Sequence, residues 1–122
     1  MKTVETKNAP AAIGPYSQAK IVGNLVFCSG QIPVDPKTSQ IPETVSEQTH
    51  TACKNVAALL EAAGTSIEKV FKTTCFLADI KYFAEFNAVY EKYFTSKPAR
   101  SCVAVKDIPK GCLVEIEVIA EL

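Results

Sequence analysis

Few residues in this chain have the type and setting to do chemistry, and Arg100 is foremost among them. It lies in Pro98-Ala99-Arg100-Ser101-Cys102-Val103-Ala104-Val105, bounded by Pro98 and Pro109. The segment reads as a strand, and a period of two puts Arg100, Cys102 and Ala104 on one face. A guanidinium at the mouth of a strand offers a planar fork of donors matched to a carboxylate or a phosphate, and its charge does not titrate away. The plainer reading is an arginine in a surface ion pair. Cys102 shares that face, but the chain's only histidine, His50, sits in a helical pattern beside Thr49 and Thr51. With no imidazole to draw off its proton, Cys102 reads as a wall of a pocket and not as a nucleophile.

Other familiar site types are absent from the pattern. No Cys, His or carboxylate cluster has metal-ligand spacing, and no nucleophile elbow or phosphate-cradling glycine loop is present. Thirteen basic residues balance thirteen acidic ones without a basic stripe, so a nucleic-acid surface is not expected. No apolar run is long enough to span a membrane, and the first residues lack the features of a secretory or transit leader. Five cysteines, odd in number and without a C-x-x-C pair, read as reduced thiols and point to a cytoplasmic protein. One domain is the expectation for 122 residues.

The elements that must position these groups follow from periodicity. Residues 2–5 read as a short edge strand, and 17–22 and 25–29 as a hairpin turning at Gly23-Asn24. Three prolines between Gly30 and Pro42 impose a long loop. Thr44, with Glu47 three residues on, starts a helix whose buried stripe runs Val45, Thr49, Ala52, Val56, Leu59 or Leu60, and Ala63, and Gly64 ends it. Residues 70–79 read as a strand apolar on both faces: Val70, Phe76 and Ala78 on one, Phe71, Cys75 and Leu77 on the other. A second helix over 82–95 carries Phe83, Phe86, Tyr90, Tyr93 and Phe94 as its stripe. The last strand, 113–121, has Val114, Ile116, Val118 and Ala120 on a clean apolar face and Glu115 and Glu117 on a mixed one. The order β-β-β-α-β-α-β-β is that of an α+β fold with two helices on one side of a mixed sheet. The mixed second face suggests burial against another subunit.

Five separated motifs carry a resemblance over nearly the whole chain. They are Gly14-Pro15-Tyr16-Ser17-Gln18, Ser29-Gly30-Gln31-Ile32-Pro33, Lys72-Thr73-Thr74, Pro98-Ala99-Arg100-Ser101 and Val114-Glu115-Ile116-Glu117. In this order and spacing the chain resembles the Rid (YjgF, or L-PSP) family of reactive intermediate deaminases, and within it the RidA type. The resemblance implies a chorismate mutase-like fold and a homotrimer whose sheets form a central barrel, with sites between subunits. It implies hydrolysis of 2-iminopropanoate and 2-iminobutanoate to 2-keto acids and ammonia, with no cofactor. Arg100 would hold the carboxylate, Glu115 would orient the attacking water, and Tyr16 would meet the substrate. Ser29, Gly30 and Asn87 would border the pocket, and the Cys102 backbone carbonyl would accept from the substrate nitrogen. The Thr95-Ser96-Lys97 connection is shorter than in typical members, which bears on the shape of the cleft entrance. Two other functions remain open at this point: ribonuclease activity, which the L-PSP name carries, and a non-catalytic ligand-binding or chaperone-like trimer.

Overall fold

A computed structural model describes residues 1–122. Eight main elements follow the expected order: β1 (Lys2–Val4), β2 (Ala19–Val22), β3 (Leu25–Cys28), α1 (Val45–Ala63), β4 (Val70–Leu77), α2 (Phe83–Tyr93), β5 (Ala99–Ala104) and β6 (Val114–Glu121). The strands form one mixed sheet in the order β1-β2-β3-β6-β4-β5. Only β4 and β5 run parallel, as a strand-helix-strand crossover through α2 requires. The hairpin between β2 and β3 turns at Gly23, whose φ of 61° a side chain would oppose.

Helix α1 is set by its ends and its stripe. The Thr44 hydroxyl accepts from the Glu47 amide at 3.1 Å, and Gly64 closes the helix with φ 93°. Its apolar side packs on β3, β6 and α2. There it meets Val114, Ile116, Val118 and Ala120 of β6, each at most 1% exposed. Burying Val114, Ile116 and Val118 contributes about 1.5–3 kcal/mol each. Helix α2 is shorter at both ends than the expected 82–95: Tyr82 belongs to a 3₁₀ turn over Ile80–Tyr82, and Phe94 leaves the helical region with φ −96° and ψ 65°. Phe86, Val89 and Tyr90 are its buried residues, while Phe83 is 40% exposed.

Period two fails once, at the start of β4. Val70 pairs with Ala120 and Lys72 with Ile119, so Phe71 is an extra residue in a β-bulge. The bulge moves Val70 to the helix-covered face beside Thr73, Cys75 and Leu77, and leaves Phe71 41% exposed. The expected face assignment is therefore corrected for Val70 and Phe71. The strand also ends at Leu77, two residues earlier than expected, because Asp79 caps the following 3₁₀ turn through the Lys81 amide at 2.9 Å.

Polar side chains buried in α1 tie down the long loop. Asn55 donates to the carbonyls of Ile32 and Val34 at 3.0 and 2.9 Å. Gln48 donates to the Pro42 carbonyl and accepts from the Leu113 amide, which joins the loop to the start of β6. Leaving buried carbonyls without a donor costs about 1–3 kcal/mol each. Asn55→Ala is accordingly expected to lower the urea unfolding free energy by about 2 kcal/mol or more, read from the denaturation midpoint.

Candidate functional site

Tyr16, Ser29, Gly30, Gln31, Lys110 and Glu115 lie around one open cavity of about 690 Å³. A network centred on Gln18 shapes its near wall. The Gln18 amide is 4% exposed; its oxygen accepts from the Thr6 amide at 2.7 Å, and its nitrogen donates to the Thr6 and Pro10 carbonyls. Those bonds fold residues 6–10 into the loop that leads to Tyr16. Strand β2 accordingly begins at Ala19, not at 17. Ser29 donates its hydroxyl to the Ser17 carbonyl at 2.6 Å, so one bond of that hydroxyl already holds the loop to the end of β3.

Glu115 is half-buried on the sheet face that no helix covers, and its carboxylate lies directly against Gly30. A Cβ on Gly30 would come 1.9 Å from Oε2 and 2.9 Å from Cδ. A side chain at this position, where φ is ordinary, would push the Glu115 carboxylate out of its place. Burial raises the Glu115 carboxyl above its usual range, and the Glu117 carboxylate on the same face adds to the rise. A partly buried carboxyl whose proton is held more tightly than usual suits acid-base work.

Arg100 stands apart from this cavity. Its Nη1 donates to Asn87 Oδ1 at 2.7 Å, and the guanidinium lies 4.8 Å from the Tyr90 ring centre and 5.5 Å from that of Phe83. Asn87 therefore spends its amide oxygen on Arg100. The surface ion-pair reading of Arg100 fails, because the chain's one ion pair joins Lys81 to Asp79 at 4.0 Å. Stacked and held at one corner, the fork keeps its other donors for a second group.

Strand register shows why the two groups are separate. Arg100 pairs with Thr73, which pairs with Val118, and all three side chains point to the helix side. Glu115 pairs with Phe76, which pairs with Val103, on the opposite side. Partners in a ladder share a face, so Arg100 and Glu115 occupy opposite faces of one sheet. Cys102 lies with Arg100, register-paired to Cys75. The residues thus fall into two groups: Tyr16, Ser29, Gly30 and Glu115 in one, Arg100, Asn87 and Cys102 in the other.

The model of the endoribonuclease L-PSP family matches residues 6–122. The chain belongs to that family. It is 51% identical to the Salmonella typhimurium protein named 2-iminobutanoate/2-iminopropanoate deaminase, over 98% of this chain and 96% of that one. Among solved structures it is similar to Escherichia coli TdcF with bound serine, at a TM-score of 0.96 and 44% identity over 100% of this chain and 99% of that one. The Escherichia coli YjgF gene product gives 0.95 and 48%, covering 99% and 98%.

Within this L-PSP chain, the residues that sequence reasoning missed are the ones that hold others in place. Gln18 and Gln31 stand inside two of the quoted motifs, yet their side-chain partners lie in loops. Gln31 exchanges backbone bonds with Ile116, which seats the 29–31 turn beside Glu115. The only available signal was an amide in a region otherwise destined for burial; Gln18 pairs both of its amide atoms, whereas Gln31 donates to the Ser29 carbonyl and leaves its Oε1 without a partner. The short connection after α2 is a tight turn, with Lys97 at φ 54° and the Ser96 hydroxyl on the Val70 carbonyl at 2.8 Å.

Proposed function

We propose that this L-PSP protein hydrolyses short 2-imino acids, of the 2-iminopropanoate and 2-iminobutanoate kind, to 2-keto acids and ammonia. The observation that carries the proposal is a pair of charged groups with hydrogen-bonding capacity to spare. A stacked guanidinium has no carboxylate partner, and a half-buried glutamate receives no hydrogen bond from its own chain. Half identity to the Salmonella deaminase across nearly all of both chains supports the same reading. The two groups lie on opposite sheet faces, so one chain alone cannot bring both to a substrate; the homotrimer that the family resemblance implies is the working unit in this reading. In it Arg100 of one subunit meets Glu115 of the next, and the uncovered sheet faces turn inward as a barrel. The chain acts as one domain in the cytoplasm.

In this reading the Arg100 fork holds the substrate carboxylate, and the Cys102 carbonyl accepts from the protonated imine nitrogen. Tyr16 closes the opposite side. Glu115 takes a proton from water as its oxygen attacks the C=N carbon, forming a tetrahedral carbinolamine. The proton passes to nitrogen, the C–N bond breaks, and ammonia leaves the 2-keto acid. Protonated imines are already electrophilic, so positioning and one proton shuttle suffice and the scheme calls on no cofactor.

The test couples the protein to a threonine dehydratase with semicarbazide as trap. Faster loss of the trappable imine is the expected result. An unchanged rate would leave a keto-acid binding protein in place of an enzyme.

Two variants probe Glu115 directly. Gly30→Ala forces the carboxylate aside, and a displacement of about 1 Å at a reacting group costs on the order of a hundredfold in kcat/KM. Circular dichroism should show an intact fold. Glu115→Gln removes turnover yet stabilises the protein at neutral pH. Its raised folded-state pKa means that the native state binds more protons than the unfolded chain across the window, so ionisation opposes folding as pH rises. The gain in Tm over wild type should be present at pH 7 and vanish as pH falls into the ordinary carboxylate range.

A further inference from the structure

Cys75 and Cys102 face each other across the β4–β5 ladder, on the side that carries Arg100. Neighbouring strands lie about 4.8 Å apart, inside the roughly 4.4–6.8 Å that a disulfide spans between Cα atoms. The two thiols are unlike in their surroundings. Cys75 is 0% exposed and donates to the Thr73 hydroxyl at 3.9 Å, which in turn bonds Tyr90 at 2.8 Å. Cys102 is partly exposed, two residues from Arg100 on the same face. Sequence reasoning set Cys102 aside for want of a histidine, because a partner from another strand cannot be read from spacing.

We propose that Cys102 and Cys75 form a peroxide-responsive thiol pair, in which Cys102 is oxidised first and Cys75 resolves it as a disulfide within the chain. The oxidant is a hydroperoxide. The Cys102 thiolate attacks one peroxide oxygen, the O–O bond breaks, and hydroxide or alkoxide leaves to give a sulfenic acid. The Cys75 thiol then attacks that sulfur and gives up its proton, the S–O bond breaks, and water leaves. Two thiols lose two electrons and two protons in all, and a dithiol reductant reverses the change.

Reactivity belongs to Cys102 among the five cysteines. The neighbouring Cys75 thiol lowers the Cys102 thiol to about 7, with the Arg100 charge assisting against partial burial. Cys28 is pushed up to about 12 by burial, burial raises Cys53 and Cys112 as well, and the neighbouring Cys102 together with burial raises Cys75, which therefore acts second. At pH 7 the larger thiolate fraction outweighs the lower nucleophilicity, for a net gain of about fivefold over an unperturbed thiol.

The test exposes the reduced full-length protein to hydrogen peroxide at pH 7, then denatures, alkylates and maps the peptides by mass. Two of the five thiols should disappear, with Cys75 and Cys102 in one disulfide-linked pair that dithiothreitol restores. In Cys75→Ala, dimedone should capture a sulfenic acid at Cys102. Loss of Cys102 in the unaltered chain should run about fivefold faster than that of free glutathione-type thiols. The proposal is overturned if oxidation falls on other cysteines, if Cys102 reacts no faster than the reference thiol, or if its sulfenic acid accumulates while Cys75 stays free. These readouts use no imine, so they succeed or fail independently of deaminase activity.

Discussion

A one-to-one mixture of Arg100→Ala and Glu115→Gln chains, each inactive alone, is expected to regain about a quarter of wild-type turnover after co-refolding. The basis is the strand register. Arg100 lies in line with buried Thr73 and Val118, and Glu115 with Phe76 and Val103 on the bare side. Two side chains on opposite faces of one sheet cannot converge on a substrate a few atoms long. A site that takes its guanidinium from one chain and its carboxylate from the next finds both intact in half of one half of random pairings. The double variant mixed with either single variant should recover nothing. Persistent inactivity of the first mixture, with assembly shown by sedimentation, would mean that the two residues never share a site.

The Arg100→Ala variant by itself should lose at least about a hundredfold in kcat/KM. Hydrogen bonds to a charged group contribute about 1.5–3 kcal/mol each, and the fork offers two to a carboxylate. Arg100→Lys should recover less than a tenth of the loss, because an ammonium is a point charge that cannot span both oxygens or lie flat on Tyr90. Calorimetry with pyruvate gives the complementary reading: binding lost in Arg100→Ala and retained in Glu115→Gln. Equal pyruvate affinity in wild type and Arg100→Ala would remove Arg100 from the site. Unfolding of each variant is the needed control, since the stacking on Tyr90 is lost too.

Local features of the fold were legible, and non-local ones were not. Thr44, Gly64 and the stripe between them place α1 to the residue, because caps and period 3.6 are written in neighbouring positions. The alternation along β6 likewise separates the helix-covered face from the face that bears Glu115. The bulge at Phe71 left no trace, since no glycine or proline marks it and only pairing with β6 reveals it. Motif resemblance brought Tyr16, Ser29, Gly30, Asn87, Arg100, Cys102 and Glu115 together as candidates. It did not show that Gly30 is needed to make room for the Glu115 carboxylate, or that Asn87 steadies Arg100. Those facts live in contacts between segments far apart in sequence. The buried amides of Gln18, Gln48 and Asn55 belong to the same class, as each is spent on loop carbonyls or amides.

The bare face of the sheet has a consequence for the life of a newly made chain. Val22, Phe27 and Val103 on it are 49%, 41% and 44% exposed, and β1 and β5 end the sheet with unpaired backbone. In the assembly proposed above, the surface that turns toward a sister chain is, until partners arrive, open to any extended segment nearby. Burst synthesis and heat should therefore set productive encounter against clumping. A chain present at too few copies to meet its sisters would then be scarce in activity and short-lived besides.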